Sequence, residues 1–410
     1  MRTAREATSP QPGSTSGSAW EVFRVFLKLG TTSFGGPIAH LGYFRTEFVE
    51  RRRWLDDRAY GELVALCQFL PGPASSQTGF GIGLLRAGAP GALAAFAAFT
   101  LPSAILMVAF AYGASLFQGP VGGGVLTGLK IVAVAIVAQA VWGMSRTLTP
   151  DRARASIAVV ALLATIVLVG SAGQIVAIVI GAIAGLIFCR PASDGDSSAG
   201  SLRFPVTRTA GIISLATFVV ILIGAPVLAA ATGIGSVRLF DAFYRAGSLV
   251  FGGGHVVLPL LQSGVVDPGW TSNGQFLAGY GAAQAVPGPL FTFAAYLGAI
   301  VDTGPGGVWG ALIALIAIFL PGFLLLIGVL PFWNTFRRYT WAQAVMRGAG
   351  AAVVGILASA LYAPVFTTAI TGPTPFALAV VCFVLLVTWK LPPWIVVIIG
   401  AAGGILISIL

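Results

Sequence analysis

Long stretches of this chain carry no charge and show no regular alternation of apolar and polar positions. No charged residue occurs between Arg86 and Lys130, Arg154 and Arg190, Arg208 and Arg238, Asp302 and Arg337, or Arg347 and Lys390. A helix needs only about 20 such residues to cross a bilayer, so several runs are long enough for two crossings. Gly/Pro-rich breaks at 118–124, 170–173 and 371–375 divide them where helix punctuation is expected. Amphipathic strands of about ten residues are missing from the pattern, which argues against a β-barrel. The expectation is an all-α polytopic membrane protein.

Two of the apolar stretches contain nearly the same phrase: "SFGGPIAH" at 33–40 and "VFGGGHVV" at 250–257, and the histidines in them are the only two in the chain. Phe34 and Phe251 are 217 residues apart. At a spacing of 216, Trp54 falls on Trp270 and "QFLPGP" (68–73) on "QAVPGP" (284–289); Pro102 then corresponds to Pro321. Ordered landmarks of this kind predict two homologous halves. The expected organisation is a disordered tail at 1–18, a first repeat at 19–190, a polar cytoplasmic loop at 191–208, a linking transmembrane helix at 209–234, and a second repeat at 235–410.

A single linking helix between duplicated halves inverts the second relative to the first, an arrangement common in transporters. The positions of the cations test this. If the segments carrying Phe-Gly-Gly and Pro-Gly-Pro are re-entrant hairpins, the cluster from Arg45 to Arg58, together with Arg86, Arg146, Arg152, Arg154, Arg190, Arg203, Arg208, Arg337, Arg338 and Lys390, falls on the cytoplasmic side. The matching loops of the second half face outward with Asp267 and Asp302 and no cation. Full crossing would export the Arg45–Arg58 cluster, so two inverted repeats with nine crossing helices and four broken, re-entrant segments are predicted.

Backbone left unpaired at membrane depth must be buried in protein or line a watered cavity, so the breaks point to an interior site. A half-helix starting after such a break offers free N–H groups and the positive end of its dipole, which suits an anion. Pro37 and Pro73 follow the breaks closely, as prolines in a first helical turn do. Lys28 and Arg245 each lie six residues before the Phe of a break, and Lys130 matches Arg347 at 217. Cations inside membrane segments are either ligands or snorkel to the nearest headgroups. Asp241 replaces Arg24 in the repeat and is expected to pair with Arg238 or Arg245. His40 and His255 are candidates to bind an oxyanion or carry a coupling proton, or are satisfied interior groups. Gln68 and Gln284, with Ser75, Ser76 and Gln77, offer neutral donors.

Composition changes this picture little. The chain is 57% hydrophobic and 9% charged, with a net charge of +10. The surplus of arginine in short loops reads as topology and not as nucleic-acid binding. Cys67, Cys189 and Cys382 have no metal-ligand spacing, and no metal, cofactor or catalytic constellation is expected. A nucleotide-binding P-loop motif is also missing, so an ATP-driven pump is not expected within the chain.

Phe-Gly-Gly with Pro-Gly-Pro in each half, joined to "GFGIGLLRAGAPGALAAFAAFTLPS" (79–103), resembles the long-chain chromate ion transporter family. The resemblance runs from Trp20 onward. It implies two oppositely oriented halves, location in the inner membrane, and export of chromate, with sulfate as a look-alike substrate. The family's motif positions fall on Phe34, Gly35, Gly36, Pro71, Gly72, Pro73, Phe251, Gly252, Gly253, Pro287, Gly288 and Pro289. Other oxyanion transport, and a lipid-headgroup translocase built on the same hairpins, remain alternatives. A homodimer is left open.

Overall fold

The computed structural model describes residues 17–114, 119–168, 170–189, 204–251, 253–336 and 339–409. The expected tail up to residue 16, most of the polar loop, Gly252, Arg190, Arg203, Arg337 and Arg338 lie outside the described residues. Every regular element among them is helical. The first half holds α1 (Ala19–Thr32), α2 (Gly36–Arg45), α3 (Asp57–Phe69), α4 (Ala74–Gly113), α5 (Gly119–Leu148), α6 (Arg152–Val167) and α7 (Ser171–Phe188). After the linker α8 (Arg208–Thr232), the second half holds α9 (Gly235–Ser248), α10 (Val257–Val265), α11 (Asn273–Ala283), α12 (Phe293–Ile300) and α13 (Gly307–Val329). It continues with the short α14 (Trp333–Phe336), α15 (Thr340–Ala360), the short α16 (Thr367–Ala369), α17 (Pro373–Val387) and α18 (Pro393–Ile409).

The repeat is visible in the element boundaries. Helix α1 spans 19–32 and α9 spans 235–248, both ends displaced by 216, within one residue of the 217 that relates Phe34 to Phe251; α3 and α11 begin at 57 and 273, again 216 apart. The forty-residue α4 is two helices, because Ala87 (φ −144°) and Gly88 (φ 64°) leave helical geometry. Its first part, 74–86, corresponds to the turn at 290–292 plus α12, and its second part, 89–113, to α13. A straight helix of that length would run about 60 Å, twice the hydrocarbon thickness.

Both pairs of broken segments return to the surface they left. Helix α1 has 14 residues, about 21 Å, too short to cross. At the open end of the first two hairpins, Arg86 pairs with Glu21 at 3.2 Å and stands 5.0 Å over the Trp54 ring. Arg45, ending α2, binds Asp57, starting α3, through two bonds of 2.8 and 2.7 Å, and this guanidinium holds the Asp57 carboxyl below the usual carboxylate range. The second half repeats the arrangement. Arg238 stands 5.5 Å over Trp270, and the Asp302 N–H donates to Trp270 O at 3.1 Å.

Apart from the short α14 and α16, removing these hairpins leaves nine helices among the described residues: the second part of α4, then α5, α6, α7, α8, α13, α15, α17 and α18. Among the described residues, six helices are long and apolar enough to cross a membrane by themselves, and α17 and α18 are shorter apolar helices. Helix α8 is the most lipid-like, exposing Ile212, Ile213, Val220, Ile223 and Val227. Five of the nine, an odd number, lie between the Arg86 surface and the Arg238 surface, so with one crossing each, the 16-residue α6 included, the two sets of hairpins enter from opposite faces. Single cysteines at Arg52 and Pro268, in a background lacking Cys67, Cys189 and Cys382, are expected to react with impermeant maleimide from opposite sides of the membrane. Labelling of both from one side would overturn the inversion.

The halves are intertwined. Helix α5 of the first half packs on α17 and α18 of the second, and α15 of the second packs on α6 and α7 of the first. Glycines permit both crossings: a side chain at Gly128 would meet Ala401 Cα at 2.7 Å, and one at Gly348 would meet Gly185 Cα at 2.6 Å. With no hydrophobic force between helices in lipid, close backbone approach of this kind is a main source of association.

Candidate substrate site at the helix breaks

The four breaks converge, and they do so across the halves. The Gly72 N–H in the first Pro-Gly-Pro donates to Val250 O, just before the second Phe-Gly-Gly, at 2.8 Å. The Gly288 N–H in the second Pro-Gly-Pro donates to Ser33 O, just before the first Phe-Gly-Gly, at 2.9 Å. These bonds are repeat mates, since 288 − 72 = 216 and 250 − 33 = 217. Gly254 faces its own mate Pro37, with a Cβ there falling 3.1 Å from the proline ring. Residues that touch their own repeat equivalents lie on the pseudo-twofold axis, so the breaks meet on that axis.

The glycines divide into two kinds. Gly72 (φ 121°) and Gly288 (φ 99°) are buried and clamped: a Cβ would stand 3.0 Å from Gly322 Cα in the first case and 2.8 Å from Ser103 Oγ in the second. Gly36 and Gly253 also have positive φ, 79° and 147°, but a Cβ at either would meet nothing within 4 Å. Pro-Gly-Pro is therefore the joint between halves, and Phe-Gly-Gly is the part with open space beside its backbone. Helix α2 begins at Gly36 with Pro37 in its first turn, so its leading N–H groups have no intrahelical acceptor.

Polar side chains around the joint are incompletely satisfied. Ser33 Oγ, Ser76 Oγ, Thr100 Oγ1, Gln77 Oε1 and Gln284 Nε2 are buried with no hydrogen-bond partner among the described residues. Burying such groups costs about 1–3 kcal/mol each unless something supplies the missing partner. The other end of Gln77 is engaged: its Nε2 donates to Pro71 O at 3.1 Å and Gly322 O at 2.9 Å, linking the first break to α13. Four of the five orphans are capable donors, a set that an acceptor-only ligand would satisfy.

The histidines are occupied by protein. His40 is fully buried, with Nε2 3.2 Å from Ser33 O, Nδ1 3.4 Å from Ser75 Oγ, and its ring edge-on to Phe99. His255 Nδ1 is 2.8 Å from Tyr280 Oη. Each ring thereby ties a Phe-Gly-Gly segment to a Pro-Gly-Pro hairpin in its own half. Phe34 packs beside Trp394 of α18, with centroids 5.9 Å apart, and Phe251 is partly buried. Pro71 and Pro287 are half-buried, while Pro73 closes over Gly322.

The cations are spread more widely. Lys28 is exposed on α1, and Arg245 forms an ion pair with Asp241 on α9, resolving the expected choice of partner. Lys130 is half-buried on α5 and Arg347 exposed on α15, the two helices exchanged between halves. Gln68 is exposed at the end of α3, unlike its mate Gln284. Cys67, Cys189 and Cys382 are free and buried. Ser33, Thr100 and Val250 escaped the sequence reading. Ser33 and Val250 could have been found as the residues just before each Phe-Gly-Gly, but Thr100 carries no signal apart from its nearness to Pro102.

The profile of a family described as chromate transporter matches twice, at residues 20–186 and 237–405, starting points 217 apart. A probable chromate transport protein of Synechococcus elongatus is 29% identical over 401 residues, covering 94% of this chain and 95% of that protein. A chromate transport protein of Pseudomonas aeruginosa is 29% identical over 393 residues, covering 93% and 90%, and one of Cupriavidus metallidurans is 26% identical over 408 residues, covering 96% of each. No solved structure matches the chain. Two matched regions together spanning most of the sequence, on two copies of the same broken-helix unit, place this chain in the chromate transporter family.

Proposed function

We propose that the chain is a secondary transporter that carries chromate out of the cytoplasm, with the oxyanion passing the axis where the four breaks meet. The observation that carries this reading is the cross-half joint itself, with orphaned donors beside backbone that is open to approach. Chromate is a tetrahedral dianion whose oxygens only accept hydrogen bonds. Ser33, Ser76, Thr100 and Gln284, with the leading N–H groups of α2, would replace part of its hydration. Gly36 and Gly253 would let it come against the main chain. Lys28 and Arg245 would supply charge along the approaches from the two faces. The names of the relatives support the choice of chromate, and sulfate, which shares its shape and charge, is the natural competitor.

Alternating access follows from the inverted halves. Each Phe-Gly-Gly is held by its own histidine to its own half and by one backbone bond to the opposite half. Rocking would exchange the latter bonds, one set opening as the other tightens.

Radiolabelled chromate should accumulate in inside-out vesicles carrying the protein, above vesicles without it, and sulfate should compete better than phosphate. Lys28→Gln is expected to lower uptake about tenfold or more, the loss of one charge-assisted contact. Unchanged uptake in that variant would remove Lys28 from the path. Lipid exchange between leaflets without chromate uptake would favour a headgroup translocase.

A further inference from the structure

At the open end of the second pair of hairpins, the end that the charge pattern assigns to the outer face, a cavity of about 270 Å³ lies between α7, α8, α9 and α10. Polar side chains in its wall include Ser171, Gln174, Arg238, Asp241, Arg245 and Ser263, with Trp270 beside them. Most of that wall is already engaged. Ser263 Oγ donates to Gln174 Oε1 at 3.2 Å, Gln174 Nε2 donates to Pro259 O at 2.8 Å, and Arg238 covers the Trp270 ring. The charged part of the wall that faces no other group is the pair Arg245–Asp241, one turn apart on α9, with the Asp241 side chain 11% and the Arg245 side chain 36% exposed. The volume admits a tetrahedral oxyanion with several waters.

Repeat symmetry makes the carboxylate anomalous. The mate of Arg245 is Lys28, but the mate of Asp241 is Arg24, a cation. The inward-side helix α1 thus presents two positive charges at these positions, and the outward-side helix α9 one positive and one negative. A carboxylate is the wrong charge for a pathway that must attract an anion, unless its task is to compete with that anion.

We propose that Asp241 is a tethered competitor for Arg245, replacing the oxyanion on the guanidinium at the outward end so that release proceeds by exchange. This rests on the oxyanion reading above and deepens it. An anion reaching Arg245 displaces the Asp241 carboxylate, and when Asp241 swings back the anion is left to water. Arg245 then never stands unpaired in a partly buried place, where a lone charge is costly, and external oxyanion is kept from rebinding. Asp241 is a positioning residue in this scheme, acting through Arg245.

The test uses right-side-out vesicles from cells lacking sulfate uptake, loaded with radiolabelled chromate, with unlabelled chromate added outside. In Asp241→Asn, half-inhibition of efflux by external chromate is expected at a concentration about tenfold or more lower than in wild type, with a reduced maximal efflux rate. Asp241→Glu should restore both values, and Arg245→Gln should abolish the external inhibition, alone and combined with Asp241→Asn. A merely structural Asp241 would lower efflux without sharpening external inhibition. That outcome, with Asp241→Asn folded at wild-type yield by size exclusion, overturns the proposal. Absence of efflux from wild-type vesicles above the empty control would instead overturn the oxyanion reading on which it rests.

Discussion

Leucine at Gly36 or Gly253 is expected to abolish chromate transport while leaving a folded, membrane-inserted protein. The backbone at both positions has positive φ; a side chain costs about 1–2 kcal/mol at Gly36 and about 1–3 kcal/mol at Gly253, whose φ 147° and ψ 163° fall in a region otherwise kept to glycine, a tolerable fraction of the roughly 5–15 kcal/mol by which folded proteins are stable. Neither position has an atom within 4 Å of a Cβ, so the first carbon of the side chain meets no clash. The leucine would instead occupy the open space beside the break and keep an anion from the main-chain N–H groups. Flux should fall to background with yield and elution profile near wild type. Near-normal flux in either variant would move the pathway away from Phe-Gly-Gly.

Alanine at Gly288 is expected to do the reverse, damaging the fold before the transport. Its Cβ would press on Ser103 Oγ at 2.8 Å and Phe99 O at 3.2 Å, at a φ of 99°, and the Gly288–Ser33 bond joining the halves would be strained. The corresponding joint in the other half pairs Gly72 with Gly322, a glycine where this half has Ser103, with the Gln77 amide at 3.2 Å from a Cβ on Gly72. Adding Ser103→Gly to Gly288→Ala should therefore recover part of the lost thermal stability, relieving the clash but not the backbone cost of about 1–2 kcal/mol. A double variant no more stable than Gly288→Ala alone would show that Ser103 is not the obstacle.

Two kinds of information in the chain explain why some features were legible and others were not. Repeated words have a fixed spacing, so matching Trp54 with Trp270 at 216 and Phe34 with Phe251 at 217 predicted, to within one residue, the displacement of 216 later seen in the ends of α1 and α9. Charge clusters fix surfaces, so the Arg45–Arg58 loop foretold that the first two hairpins return to one face. Interaction across the halves leaves no such trace. Nothing in the spacing of Ser33 and Gly288 says that they bond to each other, because that contact is set by how two inverted copies dock. Lys28 and Arg245 match by position, and Asp241 in place of Arg24 already marked the second site as different; the fold chooses Arg245 over Arg238 as its partner and leaves Lys28 exposed. Gln68 and Gln284 share a motif, yet one is exposed and the other half-buried with its Nε2 buried and unpartnered, because the docking is only approximately symmetric.

The exchange of α5 and α15 between halves also sets a timetable for biosynthesis. Helix α5 ends at residue 148 and its partner α18 begins at 393, so 393 − 148 = 245 further residues must be made before that contact can form. At about 5–20 residues per second the interval is roughly 12–50 seconds. During it, the glycine-lined face of α5 must be sheltered by lipid, by the insertion machinery or by a provisional neighbour. The first half therefore cannot mature on emergence, and a ribosome stalled before α17 would leave a chain whose earliest spans still await the partners encoded last.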